Sequence, residues 1–298
     1  MDMNLVKLMS EFGTEEKCRQ VLEELRWPDG VACPRCKHQT ISRIKDRDQF
    51  DCDMCRYQFS VLSGTIFHDT HLPLQKWFIA VYLMVESKKG ISANQMKRTL
   101  DVSYKTAWYL CHRIRAAMTE LTPRKLEGVV EVDEAYVGGR TKGKGQGKGA
   151  YLANKAIVAG IVQRGGDVRM SKIKNADRKT LHAFILGHIH PKTKLVITDD
   201  YRPYREIDDA DTKHAIVNHS QKEYVRGDIH TNNIESVWSL LKRSVAGSFH
   251  KVSEKHIDRY LDELEWRFNN RENPYLFRDT LQKLLGAQKM EYKDLIAA

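Results

Sequence analysis

Residues 127–140 read EGVVEVDEAYVGGR. Val129, Val130, Val132 and Val137 have the β-branched, apolar character of a buried strand, and Gly138 and Gly139 end it. Glu131, Asp133 and Glu134 interrupt the run. A carboxylate in such a strand stays ionised only if it is paired, solvated at a strand end or bound to a cation. Strict alternation puts Glu131 and Asp133 on one face of the strand and Glu134 on the other. The rival reading is a half-exposed edge strand with solvated acids, and the neighbouring sequence has to separate the two.

On the C-terminal side, further apolar runs occur at 156–163 (AIVAGIVQ), 168–174 (VRMSKIK), 194–200 (KLVITDD) and 214–219 (HAIVNH). They alternate with helical patterns at about 177–189, 232–246 and 253–270, which predicts an α/β domain over 127–275. The glycine and lysine loop GGRTKGKGQGKG, 138–149, cannot pack and is expected to follow a phosphate backbone or remain a solvated linker. On the N-terminal side, Thr122-Pro123 marks a boundary. Apolar residues recur at helical spacing from Leu74 to Met118, predicting an all-α domain over 72–122, and a turn-rich cysteine segment fills 31–65. Leu5, Leu8, Met9, Val21, Leu22 and Leu25 predict helices within 1–30, stopped by WPDG. Residues 276–298 are read as a C-terminal tail. The chain is therefore expected to be multidomain.

The 298 residues are 41% hydrophobic and 30% charged, with no apolar run of membrane-spanning length and no charged-then-apolar leader. A cytoplasmic protein with no membrane partner is expected, associated with the nucleoid when bound to DNA. The net charge of +10 fits a polyanionic partner such as nucleic acid.

Four of the six cysteines form CPRC, 33–36, and CDMC, 52–55. Two such knuckles place four thiolates at the corners of a tetrahedron that suits zinc. Cys33, Cys36, Cys52 and Cys55 are thus the expected ligands of a structural Zn²⁺, since four thiolates leave no position for substrate. Cys18 and Cys111 are read as lone buried thiols.

GISANQMKRTLDVSYKTAWYLCHRIRAAM, 90–118, has the spacing of a helix-turn-helix. Ser92 can cap the first helix, Asp101-Val102-Ser103 makes the turn, and the second helix begins at Tyr104. Its first residues, Ser103, Tyr104, Lys105 and Thr106, are the expected base-reading positions. His112, Arg113 and Arg115 are expected to meet phosphates, while Trp108, Leu110, Ile114 and Met118 supply core contacts. An ordinary helical hairpin with a solvated basic face is the alternative.

Asp133 lies in the first strand of the α/β region, and Asp199 and Asp200 end the strand LVIT. Glu235 begins a helix in HTNNIESVWSLLKR, with Lys242 two turns along the same face. Carboxylates converging from strand ends and a helix suit two divalent ions, Mg²⁺ or Mn²⁺, in phosphoryl transfer. Asp200 is read as a turn residue.

The order of zinc ribbon, helix-turn-helix, VDEAYVGGR, ITDDYRPY, VNHS, HTNNIESVWSLLKR and RYLDELEWRFNNR resembles the ISXO-like insertion-sequence transposases, relatives of the eukaryotic Merlin elements. The resemblance spans about residues 15 to 275. It implies an RNase H-like catalytic domain that cuts and joins DNA with two metal ions. Asp133 matches the first acid and Asp199 the second. Glu235 is the first choice for the third position, with Asn232 as the alternative, because the group often carries asparagine there. Lys242 and Arg243 would follow the DNA backbone. His219 and His230 could orient a water or phosphate, or be structural. Trp238, Trp266 and Phe268 are read as core, and Arg267 and Arg271 as either a DNA clamp or partners of the acids in DELE.

A DNA transposase acting on terminal inverted repeats and target DNA is therefore expected, as a homodimer or larger assembly because two ends must be joined. The rivals are a zinc-ribbon transcriptional regulator and a structure-selective nuclease with an RNase H-like fold.

Overall fold

The computed structural model describes residues 3–138, 155–207, 212–218 and 225–297. The loop at 139–149 and His219 lie outside them. Contacts divide the chain into two units, Met1–Thr119 with Glu272–Ala298, and Glu120–Arg271.

The first unit opens with α1 (Leu5–Glu11) and α2 (Glu15–Arg26), started by Asn4 and Thr14, whose side chains accept from the N–H groups of Lys7 and Lys17. Leu8, Cys18 and Leu22 are buried, but Leu5 and Met9 are 48% and 53% exposed. A seven-residue helix touches its unit along one narrow stripe, so helical spacing alone overstates the burial of α1. Next come β1 (Ile41–Ile44), β2 (Gln49–Cys52) and β3 (Gln58–Phe59), an antiparallel sheet in that order. Trp27, Phe50, Tyr57 and Phe59 form its small core.

Helices α3 (Leu74–Glu86), α4 (Ala93–Leu100) and α5 (Tyr104–Met118) follow. Ser92 and Ser103 cap α4 and α5 by accepting from the N–H groups of Gln95 and Thr106. Asp101, with φ +49°, turns the chain between them.

The second unit is built on β4 (Leu126–Val137), β5 (Ala156–Gln163), β6 (Val168–Ile173), β7 (Ile189–Asp199) and β8 (Lys213–Val217). Their order across the sheet is β6-β5-β4-β7-β8. β4, β5 and β6 pair antiparallel, whereas β7 runs parallel to both β4 and β8. A parallel neighbour needs a crossover, supplied by α6 (Arg178–His188), capped by Asp177. Val130, Val132, Ile161 and Val196 pack against Leu181, Phe184 and Ile185 of α6 on one face. The other face carries α7 (Asn232–Ser244) and α8 (Ile257–Asn269). There Ala135, Val137, Val158 and Val162 meet Ile234, Val237, Trp238, Leu241 and Leu264. Each fully buried aliphatic side chain contributes about 1.5–3 kcal/mol, so the two faces together fix the sheet. The alternation read for the opening strand therefore separates two cores.

At the sheet edge, alternate N–H groups of β6 would be left without strand partners. Helix α8 supplies acceptors instead: Asn269 Oδ1 for Val168 at 2.8 Å, Glu265 for Met170 and Asp258 Oδ1 for Lys172 at 3.1 Å. A covered edge cannot template pairing with another chain. In the same helix buried Arg267 pairs with buried Glu263 at 3.3 Å, and Arg271 donates to the Phe268 carbonyl. Of the two roles read for Arg267, pairing within DELE is the one seen.

Residues 276–298 are not a tail. They contain α9 (Leu276–Gly286) and α10 (Tyr292–Ala297), and α9 returns to the first unit against α2, α3 and α5. Leu276, Phe277, Leu281, Leu284 and Leu285 are buried, which a solvated tail could not achieve. No helix of the described residues is long and apolar enough to cross a membrane.

Candidate active site and metal centre

The two cysteine knuckles have the same construction. The N–H groups of Lys37 and Arg56 donate to the carbonyls of Cys33 and Cys52, and both residues turn through positive φ, +65° and +56°. This curls each C-x-x-C so that its sulfurs face one point. The ligand atoms of Cys33, Cys36, Cys52 and Cys55 all lie within 4.8 Å of one another. Cys33 to Cys55 and Cys36 to Cys52 are 3.6 and 3.5 Å. A tetrahedron with metal–sulfur bonds of about 2.3 Å has edges of about 3.8 Å, so the four donors fit zinc with little adjustment. Cys18 is instead a lone buried thiol, pushed up to about 12 chiefly by burial.

The acids gather in the second unit. Glu131 of β4 stands beside Ile197 of parallel β7. The parallel pairing of β4 with β7 ends at Glu131 and Ile197; Asp133 and Asp199 each lie two residues beyond it, close enough for the Asp199 carboxylate to act on that of Asp133. Asp133 Oδ2 accepts from Trp238 Nε1 at 2.9 Å. That approach depends on Gly160, opposite Asp133 on β5, because a Cβ there would lie 2.5 Å from the Trp238 ring. Trp238 is thus a core residue that also fixes an acid.

Burial, then the neighbouring Glu134 and Asp199 carboxylates, hold the Asp133 carboxyl up at about 7. An acid with a raised folded-state value binds its proton more tightly when folded than when unfolded. Its contribution to stability is full below about pH 4 and is lost as pH rises through 7. In EDTA, urea titrations across this window are expected to show wild type losing a few kcal/mol more than Asp133→Asn, since each tenfold difference in proton affinity is worth about 1.4 kcal/mol. Mg²⁺ is expected to reduce that loss. Crowded, half-buried carboxylates fit a hard divalent cation, whose charge offsets both causes of the rise.

Asp199 Oδ1 accepts from the Tyr201 N–H at 3.1 Å. Asp200 points elsewhere, pairing with Arg205 and accepting from Asn218, as a turn residue does. Glu134 lies on the opposite face and accepts from Tyr204 Oη at 2.6 Å; burial raises its pKa. On α7, Asn232 and Glu235 are exposed in the first turn, and Glu235 Oε1 accepts from Thr231 at 3.1 Å. Glu235 is one turn before Trp238, the residue that touches Asp133. Lys242 and Arg243 are exposed in the last turn. Among the described residues, the cysteines are the one group of three or more potential ligands drawn within 4.8 Å, so Asp133, Asp199 and Glu235 are not gathered that tightly.

The sequence presents Glu131 as a supporting or solvated charge, yet it is fully buried. Its carboxylate pairs with Arg164 Nε at 2.8 Å, lies 3.3 Å from His230 Nδ1, and accepts from the first turn of α7. The alternation that puts it on the face of Asp133 is the available signal.

Ser103, Tyr104 and Lys105 are exposed at the start of α5, with Thr106 half-buried. Lys105 Nζ sits 4.3 Å from the Tyr292 ring centroid. Arg113 and Arg115 do not join them, being only 5% and 2% exposed, and His112 is also buried. Arg113 donates to the carbonyls of Ile66 and His68 and lies over the Trp77 ring. Beyond its first turn α5 is packed by α3, α4 and α9, which leaves these basic residues no path to a phosphate.

The family model of the ISXO2-like transposase domain matches residues 125–269, and that of the transposase zinc-ribbon domain matches residues 13–58. An uncharacterized protein in transposable element ISH50 of Halobacterium salinarum is 32% identical over 274 residues, covering 86% of this chain and 91% of that protein. An uncharacterized transposase-like protein of Haemophilus influenzae is 32% identical over 100 residues, 34% of this chain and 79% of the relative.

Proposed function

Since the chain belongs to the ISXO2-like transposases and carries a transposase zinc ribbon, we propose that it cuts the ends of an insertion sequence and joins them to target DNA. The observation that carries this reading is the pair Asp133 and Asp199, each two residues beyond the last β4–β7 pairing, with the Asp133 carboxyl held up at about 7 by burial and its acidic neighbours. The sheet order β6-β5-β4-β7-β8, with helices on both faces, supports an RNase H-like assignment for 127–275.

In this mechanism Asp133 and Asp199 would hold Mg²⁺ or Mn²⁺, with Glu235, or alternatively Asn232, as the third group. Two such ions, when bound, activate the attacking water or 3′-hydroxyl and stabilise the leaving oxygen. Trp238 keeps Asp133 Oδ2 oriented, and the apolar cores on both sheet faces keep the two strands in register. Lys242 and Arg243 would fix the DNA backbone beside the acids. Their contribution to affinity should fall with salt through counterion release. The first turn of α5, with Ser103, Tyr104 and Lys105 exposed and Thr106 half-buried, would read terminal-repeat bases as a helix-turn-helix does. Cys33, Cys36, Cys52 and Cys55 would hold a zinc that folds the ribbon and takes no part in chemistry. Joining two ends favours a homodimer or larger assembly on DNA.

Linear DNA carrying candidate element ends, incubated with the purified protein, tests this reading. Cleavage and plasmid joining are expected in Mg²⁺, not in EDTA, and not with scrambled ends. Binding without cleavage would contradict it in favour of a regulator, and cleavage indifferent to end sequence in favour of a structure-selective nuclease.

A further inference from the structure

At the start of helix α7 Thr231 makes no capping hydrogen bond, and the one local side-chain acceptor among the described residues is His230 Nδ1, a long 3.4 Å from the Asn232 N–H. The next two N–H groups are held from the sheet. Glu131 Oε2 accepts from the backbone N–H groups of Asn233 at 2.8 Å and Ile234 at 3.2 Å, and Oε1 accepts from Asn233 Nδ2 at 2.7 Å. Arg164 Nε, 2.8 Å from Oε1, balances the buried charge. The same guanidinium donates to the carbonyls of Asp228 and His230, fastening the chain that leads into the helix.

We propose that Glu131 is a positioning residue for the metal site: it fixes the first turn of α7, and with it Asn232 and Glu235, against the strand that carries Asp133. This rests on the transposase reading given above. The apolar stripe of Ile234, Val237, Trp238 and Leu241 presses the helix onto the sheet but leaves it freer to slide and rotate. A carboxylate bonded to two successive amides removes both freedoms at the end where Asn232 and Glu235 stand. Asn232 lies one residue before those amides and Glu235 one residue after. Glu131 is itself two residues from Asp133 on the same face of β4, so a single strand sets both sides of the site.

Glu131→Gln preserves the volume but replaces one acceptor with a donor that faces other donors. In full-length protein, single-turnover cleavage of end DNA is expected to slow by roughly 10- to 100-fold, with a similar rise in the Mg²⁺ needed for half-maximal rate. Backbone amide exchange at Asn233 and Ile234 is expected to quicken by about tenfold while exchange within β4 and β5 is unchanged. Affinity for end DNA should stay within about twofold, because no phosphate contact is removed. Asn233→Ala, which keeps the buried carboxylate and both backbone bonds, is expected to move the cleavage rate, the Mg²⁺ requirement and exchange at the two amides in the same direction by a smaller factor. It decides the matter if the glutamine variant fails to fold.

Wild-type cleavage and Mg²⁺ response in both variants, or unchanged exchange at the two amides, would overturn the proposal. An inert wild-type protein would instead contradict the transposase reading, and amide exchange alone would then decide whether Glu131 holds the helix.

Discussion

Asp133→Asn is expected to abolish Mg²⁺-dependent cleavage and joining while leaving end binding intact. The loss should be on the order of 10³-fold or more, about 4 kcal/mol of transition-state stabilisation. Asparagine keeps the volume of the side chain and can still accept from Trp238 Nε1, so the fold and the indole contact survive. What disappears is the charge that a divalent ion requires. Asp199→Asn should behave in the same way, because it removes the second carboxylate of the proposed metal pair. Asp200→Asn is the internal control: this side chain is engaged with Arg205 and Asn218, and its replacement should leave the rate near wild type. Gel assays of cleavage alongside end-DNA binding separate the two effects. Retained cleavage in Asp133→Asn would remove the basis of the mechanism.

The second large effect is expected at the cysteines. The ribbon's own core is small, mainly Trp27, Ile41, Phe50, Tyr57 and Phe59 around three short strands. Such a core cannot offset the ordering entropy of its turns without the metal. Structural zinc in comparable small domains contributes roughly 10–16 kcal/mol of apparent binding free energy. Chelation, or Cys52→Ser, should therefore unfold the ribbon, expose it to proteolysis within 31–59 and weaken end binding. The sheet of the second unit has its own two cores and should keep its protection. The checks are one zinc released per chain and cleavage sites mapped by mass spectrometry. A chelated protein that stays protease-resistant through 31–59 would refute the zinc assignment.

Much of this is legible in sequence because the informative features are local. Strand alternation in EGVVEVDEAYVGGR places Glu131 and Asp133 on one face and Glu134 on the other, and the structure distributes their partners that way. The knuckle spacing and the serine caps of α4 and α5 are local as well. What cannot be read depends on partners distant in the chain. Arg113 and Arg115 look like phosphate contacts until the carbonyls of residues 66–68 and the packing of α9 are in place. Residues 276–298 read as a tail although Leu276, Phe277, Leu281, Leu284 and Leu285 recur at helical spacing, because nothing local says which unit they rejoin. Glu131 is undervalued by sequence for a related reason: its donors come from Arg164 and from the first turn of α7, about 30 and 100 residues away. Gly160 gives no sequence cue that its missing side chain admits Trp238 to Asp133.

Central to this account is a divalent-metal site formed by Asp133, within β4, and Asp199, at the end of β7. Anomalous diffraction from crystals of the full-length protein soaked in Mn²⁺ tests it most directly. An anomalous peak bound by both carboxylates, and lost in Asp133→Asn crystals, is the expected result. Mn²⁺ bound elsewhere, or a peak that persists in the variant, would contradict it.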